Sequence, residues 1–123
     1  MNKEFLYKET TERIIRCFYN VHDELGDGFL ESVYEKALLI ELKDFGLKAE
    51  SQKPLTVKYK HNVVGEFRAD IVVEDKIILE IKALSRLLPE HEAQLINYLK
   101  ATGIKLGIIV NFGNKLEFQR KIY

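Results

Sequence analysis

Phe67-Arg68-Ala69-Asp70-Ile71-Val72-Val73, then Glu74-Asp75-Lys76, then Ile77-Ile78-Leu79-Glu80-Ile81-Lys82-Ala83: the reading of this stretch decides the architecture. Both seven-residue runs are rich in β-branched and apolar residues, and only three polar residues separate them, which predicts two strands joined by a tight hairpin. The odd positions Phe67, Ala69, Ile71 and Val73 are apolar, as are Ile77, Leu79, Ile81 and Ala83. Side chains alternate faces along a strand, so each run is expected to carry one uniformly apolar face. Directly paired residues share a face, and a register centred on Asp75 matches the two apolar faces. That register sets Asp70 opposite Glu80, with Lys82 on the same face one alternation further. Opposed carboxylates repel. Such a pair needs a cation, a proton or open water, and a divalent metal with a lysine beside it is the reading pursued. The plainer alternative is a solvated strand face, but Val72 and Ile78 share that face with the charges, so it is not simply polar.

Working outward, 123 residues suit one domain, residues 1–123, with a single core. Apolar residues at 46% and charged residues at 31% are ordinary for a globular protein. The formal net charge is zero, so any nucleic-acid surface must be local rather than a property of the whole chain. Cys17 is the only cysteine, which excludes an internal disulfide and a multi-cysteine zinc site; its helical setting predicts a small buried apolar residue. No apolar signal segment and no run of membrane length is present, which leads to the expectation of a cytoplasmic protein without membrane partners.

Thr10 or Thr11 is expected to cap a first helix bearing Ile14, Ile15, Phe18, Val21 and Leu25, broken by Gly26-Asp27-Gly28. A second helix is expected from Leu30 to Phe45, ended by Gly46. Strand-like segments follow at Leu47–Gln52 and Pro54–Tyr59, with a turn at Lys60–Asn62 before the central hairpin. Pro89 opens a third helix and Gly103 closes it. Ile104–Phe112 reads as a strand, and Lys115–Arg120 as a last one. The order predicts an α/β (α+β) fold, a sheet flanked by helices.

Glu31 stands at the start of the second helix, at the edge of its apolar stripe. It is either a first-turn acid favoured by the helix dipole or a carboxylate aimed at the same cation as Asp70 and Glu80. Gln94 and Tyr98 lie four apart on one face of the third helix. His91 precedes them as a surface residue, a ligand or a base.

Gly28-Phe29-Leu30-Glu31-Ser32-Val33-Tyr34 is similar to the GxxExxY signature, and the chain from Thr10 to Ile122 resembles that bacterial family. The likeness includes Val21-His22, Leu25-Gly26, Gln52, Arg68-Ala69-Asp70, Leu79-Glu80-Ile81-Lys82-Ala83, His91-Glu92-Ala93-Gln94, Tyr98-Leu99 and Asn111-Phe112. Asp27 stands where the family has proline. The family is placed among the restriction-endonuclease-like PD-(D/E)xK phosphodiesterases, so the resemblance implies that core, a central mixed sheet flanked by helices. It further implies Asp70, Glu80 and Lys82 as the acid, acid and lysine, with Glu31 as the helix acid. Gln94 and Tyr98 match the glutamine–tyrosine motif of the RecB-like exonuclease branch.

From the resemblance follow Lys82, Asp70, Glu80 and Gln94 as catalytic residues. Glu31, Asp70 and Glu80 are the expected ligands of Mg²⁺ or Mn²⁺, and Tyr98, Tyr34, Gln52 and Arg68 are expected to position substrate. Carboxylate oxygens suit such hard cations. The expected function is a metal-dependent nuclease acting on DNA or RNA. Two alternatives stay open: an inactive module of the same fold that binds nucleic acid or protein, and a hydrolase of a small phosphorylated molecule. A homodimer or a partner protein also stays open.

Overall fold

The computed structural model describes residues 6–123. The chain runs α1 (Lys8–Leu25), α2 (Glu31–Asp44), β1 (Ala49–Tyr59), β2 (Asn62–Val73), β3 (Ile77–Lys82), α3 (Pro89–Thr102), β4 (Leu106–Asn111) and β5 (Glu117–Ile122). The strands form one sheet in the order β1-β2-β3-β4-β5. Only β3 and β4 are parallel, and α3 is the crossover that a parallel pair requires. This is the mixed, helix-flanked sheet expected of a restriction-endonuclease-like core.

Helices cover both faces. Ile14, Phe18 and Val21 of α1 and Tyr34, Leu38 and Leu42 of α2 pack with Ile71, Leu79, Ile81 and Val110 on one side. Leu95 and Leu99 of α3 pack with Ala69, Val72, Ile78 and Ile109 on the other. Double coverage explains why β3 and β4 read as almost continuous apolar runs. Gly107 lets α3 sit close, since a Cβ there would lie 2.7 Å from a Leu95 methyl carbon. Cys17 is fully buried, and burial pushes its thiol up to about 12, so it packs as an inert apolar group.

Several local expectations are corrected. Helix α1 starts at Lys8 without a side-chain cap; Thr11 is buried inside it and Thr10 is half-buried. The two strand segments before the hairpin are one strand, β1, containing Gln52 at φ 52°. Strand β2 is longer than expected, and its turn from β1 places Lys60 and His61 at φ 49° and 67°. The α2 terminus is as expected. The Leu47 N–H donates to Leu42 O and the Gly46 N–H to Lys43 O, with Gly46 left-handed at φ 76°.

The larger correction concerns faces. The register centred on Asp75 holds, with Ile71↔Leu79, Val72↔Ile78 and Val73↔Ile77. Yet Ala69 packs toward α3 while Ile71 and Val73 pack toward α1 and α2. Phe67 also faces α3, stacked on Tyr98 with centroids 3.7 Å apart. Strand β2 therefore changes face at Asp70, and its odd positions are not one apolar face. The β1–β2 register passes from Ser51↔Ile71 to Lys53↔Ala69, skipping Gln52 and Asp70 together. The left-handed backbone at Gln52 is the matching irregularity on β1.

Candidate active site

The face change is where the acidic residues meet. Regular pairing of β2 with β3 stops at Ile71↔Leu79, one position short of Asp70 and Glu80. In its place Asp70 Oδ2 accepts the Ile81 N–H at 2.7 Å, and the Glu80 carboxylate accepts the Asp70 N–H. Each acid has captured a backbone amide of the other strand, so the ladder opens at the site. The two carboxyl groups remain within hydrogen-bonding reach of each other.

Glu80 is 9% exposed, and its Oε1 has no hydrogen-bond partner among the described residues. Burial, followed by the charge of Asp70 and their shared hydrogen bond, pushes the Glu80 carboxyl up to about 9, against a smaller downward pull from Lys82. An orphaned buried oxygen beside a second carboxyl is a costly arrangement unless a proton or cation completes it. Lys82 follows one alternation beyond Glu80 on β3 and is half-exposed.

Helix α3 supplies the neighbouring wall. Tyr98 is close enough for both acids to influence it: burial first, then Glu80, then Asp70 raise its phenol above the usual range, while a hydrogen bond with Gln94 opposes them. His91 is not directed at the site; its Nδ1 accepts the Leu88 N–H at 3.0 Å and caps α3.

The other expected residues have these surroundings. The ring of Tyr34 is fully buried and stacked on Phe112. Its hydroxyl donates to Gly26 O at 2.6 Å and accepts the Phe29 N–H at 3.2 Å. It clamps the α1–α2 loop from inside the fold. Gln52 turns toward α2, donating from Nε2 to Glu35 at 2.9 Å. Arg68 donates to Gln52 O at 3.1 Å and stays exposed. Glu31 is exposed at the first turn of α2, and no group of three acidic, histidine or cysteine side chains placed to hold a metal occurs among the described residues. Asp70 and Glu80 are the two acids that the strand pairing brings together, while Glu31 stands on α2.

Two residues were missed. Glu35, one helical turn beyond Glu31, accepts hydrogen bonds from Ser51 and Gln52 at 3.0 and 2.9 Å. It braces the β1 irregularity beside Asp70, whose charge helps burial raise its carboxyl. Its i+4 spacing from Glu31 was the available signal. Glu31→Gln is expected to cost at most about 1 kcal/mol and leave Mn²⁺ affinity unchanged. Glu35→Ala is expected to cost about 1–2 kcal/mol and weaken Mn²⁺ binding. Calorimetric titration and melting of both variants check this.

Asn111, opposite Lys82 on β4, is the second. Fully buried, it accepts the Leu84 N–H at 2.8 Å and donates to Leu84 O at 2.9 Å, and its Oδ1 also accepts the Gly113 N–H. It ties down the chain just beyond Lys82. Asn111→Ala strands those groups and is expected to cost about 3 kcal/mol, measurable by urea unfolding.

A cavity of about 520 Å³ lies between α1 and α2, lined by Val21, Leu25, Ile40 and Glu41 among others. No described helix is long and apolar enough to cross a membrane.

Comparison with curated proteins gives no match. Among solved structures, the crystal structure of SSO0001 is similar with a TM-score of 0.56 at 24% identity, covering 75% of this chain and 50% of that one. The chain spans about half the length of that protein, and the likeness is one of fold. The family model of the PD-(D/E)XK nuclease superfamily matches residues 8–121, from the start of α1 into the last strand and across every element that frames Asp70, Glu80 and Lys82. The chain belongs to the PD-(D/E)XK nuclease superfamily.

Proposed function

We propose that this protein is a metal-dependent phosphodiesterase that cleaves nucleic acid, in line with its resemblance to the GxxExxY family. The observation that carries the reading is the opened ladder at Asp70, with the orphaned Glu80 Oε1 beside it and Lys82 one alternation on. A fold indifferent to chemistry gains nothing from two carboxyls at one strand pair. Two hard oxygen donors, one lacking any partner, fit Mg²⁺ or Mn²⁺. Asp70 and Glu80 would hold the ion. When bound, such an ion lowers the pKa of its water and acts as a Lewis acid toward the phosphate.

The remaining work belongs to the chain itself. Lys82 carries a compact cation on the acid face, suited to the charge that grows on a phosphate during attack. Tyr98 keeps its proton, since its phenol is raised, and so can donate to a phosphate oxygen. Gln94 holds Tyr98, whose ring is fixed by its stack on Phe67. Asn111 fixes the exit of β3 behind Lys82.

The test is Mn²⁺-dependent cleavage of labelled single- and double-stranded DNA and RNA, with Asp70→Asn as the contamination control. Cleavage by the wild type that disappears in Asp70→Asn is the expected result. Wild type no faster than that control on every substrate would overturn the reading and leave a binding module.

A further inference from the structure

The hairpin of β1 and β2 outruns the sheet. Strand β3 pairs with β2 only at Ile71–Val73, so from Lys53↔Ala69 to Tyr59↔Asn62 the two strands have no third neighbour. Helix α3 holds the root of this ribbon, through Phe67 on Tyr98 and Leu55 against the α3 core. Beyond the root the ribbon is bare: Tyr59, Val63 and Val64 are 64%, 57% and 63% exposed.

The charge on the ribbon differs from that of the chain, whose formal net charge is zero. Lys58, Lys60 and Arg68 face one carboxylate, Glu66, and none of the three cations has a carboxylate partner among the described residues. Lys53, by contrast, is paired with Glu50 and Asp75 and belongs to the body. The tip adds a second observation. Lys60 and His61 are both left-handed, the geometry of a turn that favours Asn-Gly and penalises side chains with a Cβ. The chain places two basic side chains where glycine and asparagine would be more stable.

We propose that this ribbon is a binding arm for double-stranded DNA, lying along the duplex from the Asp70–Glu80 site. The inference rests on the nuclease reading and names its substrate. A two-stranded ribbon fits the major groove, which a single strand does not offer. From Asp70 to the tip is about nine residues, or roughly 30 Å at ~3.3 Å each. That is about nine base pairs at ~3.4 Å per step. The arm therefore contacts one side of the cut and requires about that length of duplex there.

The deciding variant is the double substitution Lys60→Asn with His61→Gly. It suits the turn better, so its melting temperature should equal or exceed that of the wild type, and folding is controlled. Binding is measured by fluorescence anisotropy in EDTA, where no hydrolysis occurs, on a labelled 20-base-pair duplex and its single strand. The expected result is duplex binding by the wild type that weakens about tenfold in the variant. The salt dependence should fall by about one counterion for the lost lysine. Lys58→Glu should weaken binding further, and duplexes shorter than about nine base pairs should lose the difference. Equal affinity of variant and wild type, no duplex binding by the wild type, or tighter binding of the single strand would overturn the proposal. A wild-type dimer in sedimentation that the tip variant dissociates would also overturn it, assigning the tip to a second copy. Cleavage with arm-independent binding removes the arm and leaves the nuclease; arm-dependent binding without cleavage does the reverse.

Discussion

Lys82→Ala is expected to slow phosphodiester cleavage by at least about a hundredfold at saturating substrate, while Mn²⁺ affinity changes little. The reasons lie in chemistry and place. An ammonium has donors and no acceptor, so it cannot be a ligand. Its charge reaches the acid pair, because it pulls the Glu80 carboxyl down against burial. Removing it takes away a charge that counts most when the phosphate gains negative charge. Lys82→Arg should recover only part of the rate, since a planar guanidinium distributes its charge over a fork. Single-turnover rates give the first quantity and calorimetry the second. Full activity in Lys82→Ala would retain the acid pair and remove the lysine from the chemistry.

The second large effect is on stability. The Glu80 carboxyl goes from its ordinary 4.5 to about 9 in the folded protein. A raised folded value means the native state binds the proton more tightly. Its contribution is complete below about pH 4.5 and is lost as pH rises through about 9. At about 1.4 kcal/mol per unit, several kcal/mol are at stake in the metal-free protein. Melting in EDTA should therefore fall steadily between those limits. Glu80→Gln, which is neutral at every pH, should flatten the profile and melt higher than the wild type at alkaline pH. Added Mn²⁺ should raise the wild-type midpoint more at pH 8 than at pH 6, as the ion replaces the proton. Parallel pH profiles for wild type and Glu80→Gln would contradict the buried, coupled pair.

The central hairpin was legible because its turn is short and its apolar positions admit one register, which the structure keeps as far as Ile71↔Leu79. Helix ends marked by Gly46, Pro89 and Gly103 were legible for the same local reason. The face change at Asp70 was not. Helices cover both faces, so apolar residues are acceptable on either, and the odd-position pattern runs through the irregularity unbroken. The Gln52 twist left no trace either, since glutamine is an unremarkable strand residue. Glu31 and Glu35 differ only by one helical turn; which of them meets the sheet depends on how far α2 slides along β1, a tertiary quantity. Tyr34 was read as part of a motif, and only its hydroxyl bonds reveal a loop clamp.

The three-residue turn at Glu74–Lys76 also bears on how the molecule is made. Asp70 and Glu80 are ten residues apart in the chain, so the contact that unites them is local, and a hairpin of this kind forms in roughly 1–10 μs. The electrostatic clash of the site is thus built into a local contact. Conditions that neutralise the pair, a proton or a divalent ion, ease that contact as well as the finished state. The chemical centre thus lies on one local hairpin, and Glu80→Gln is expected to change the refolding rate as well as the reaction, which stopped-flow refolding in EDTA checks.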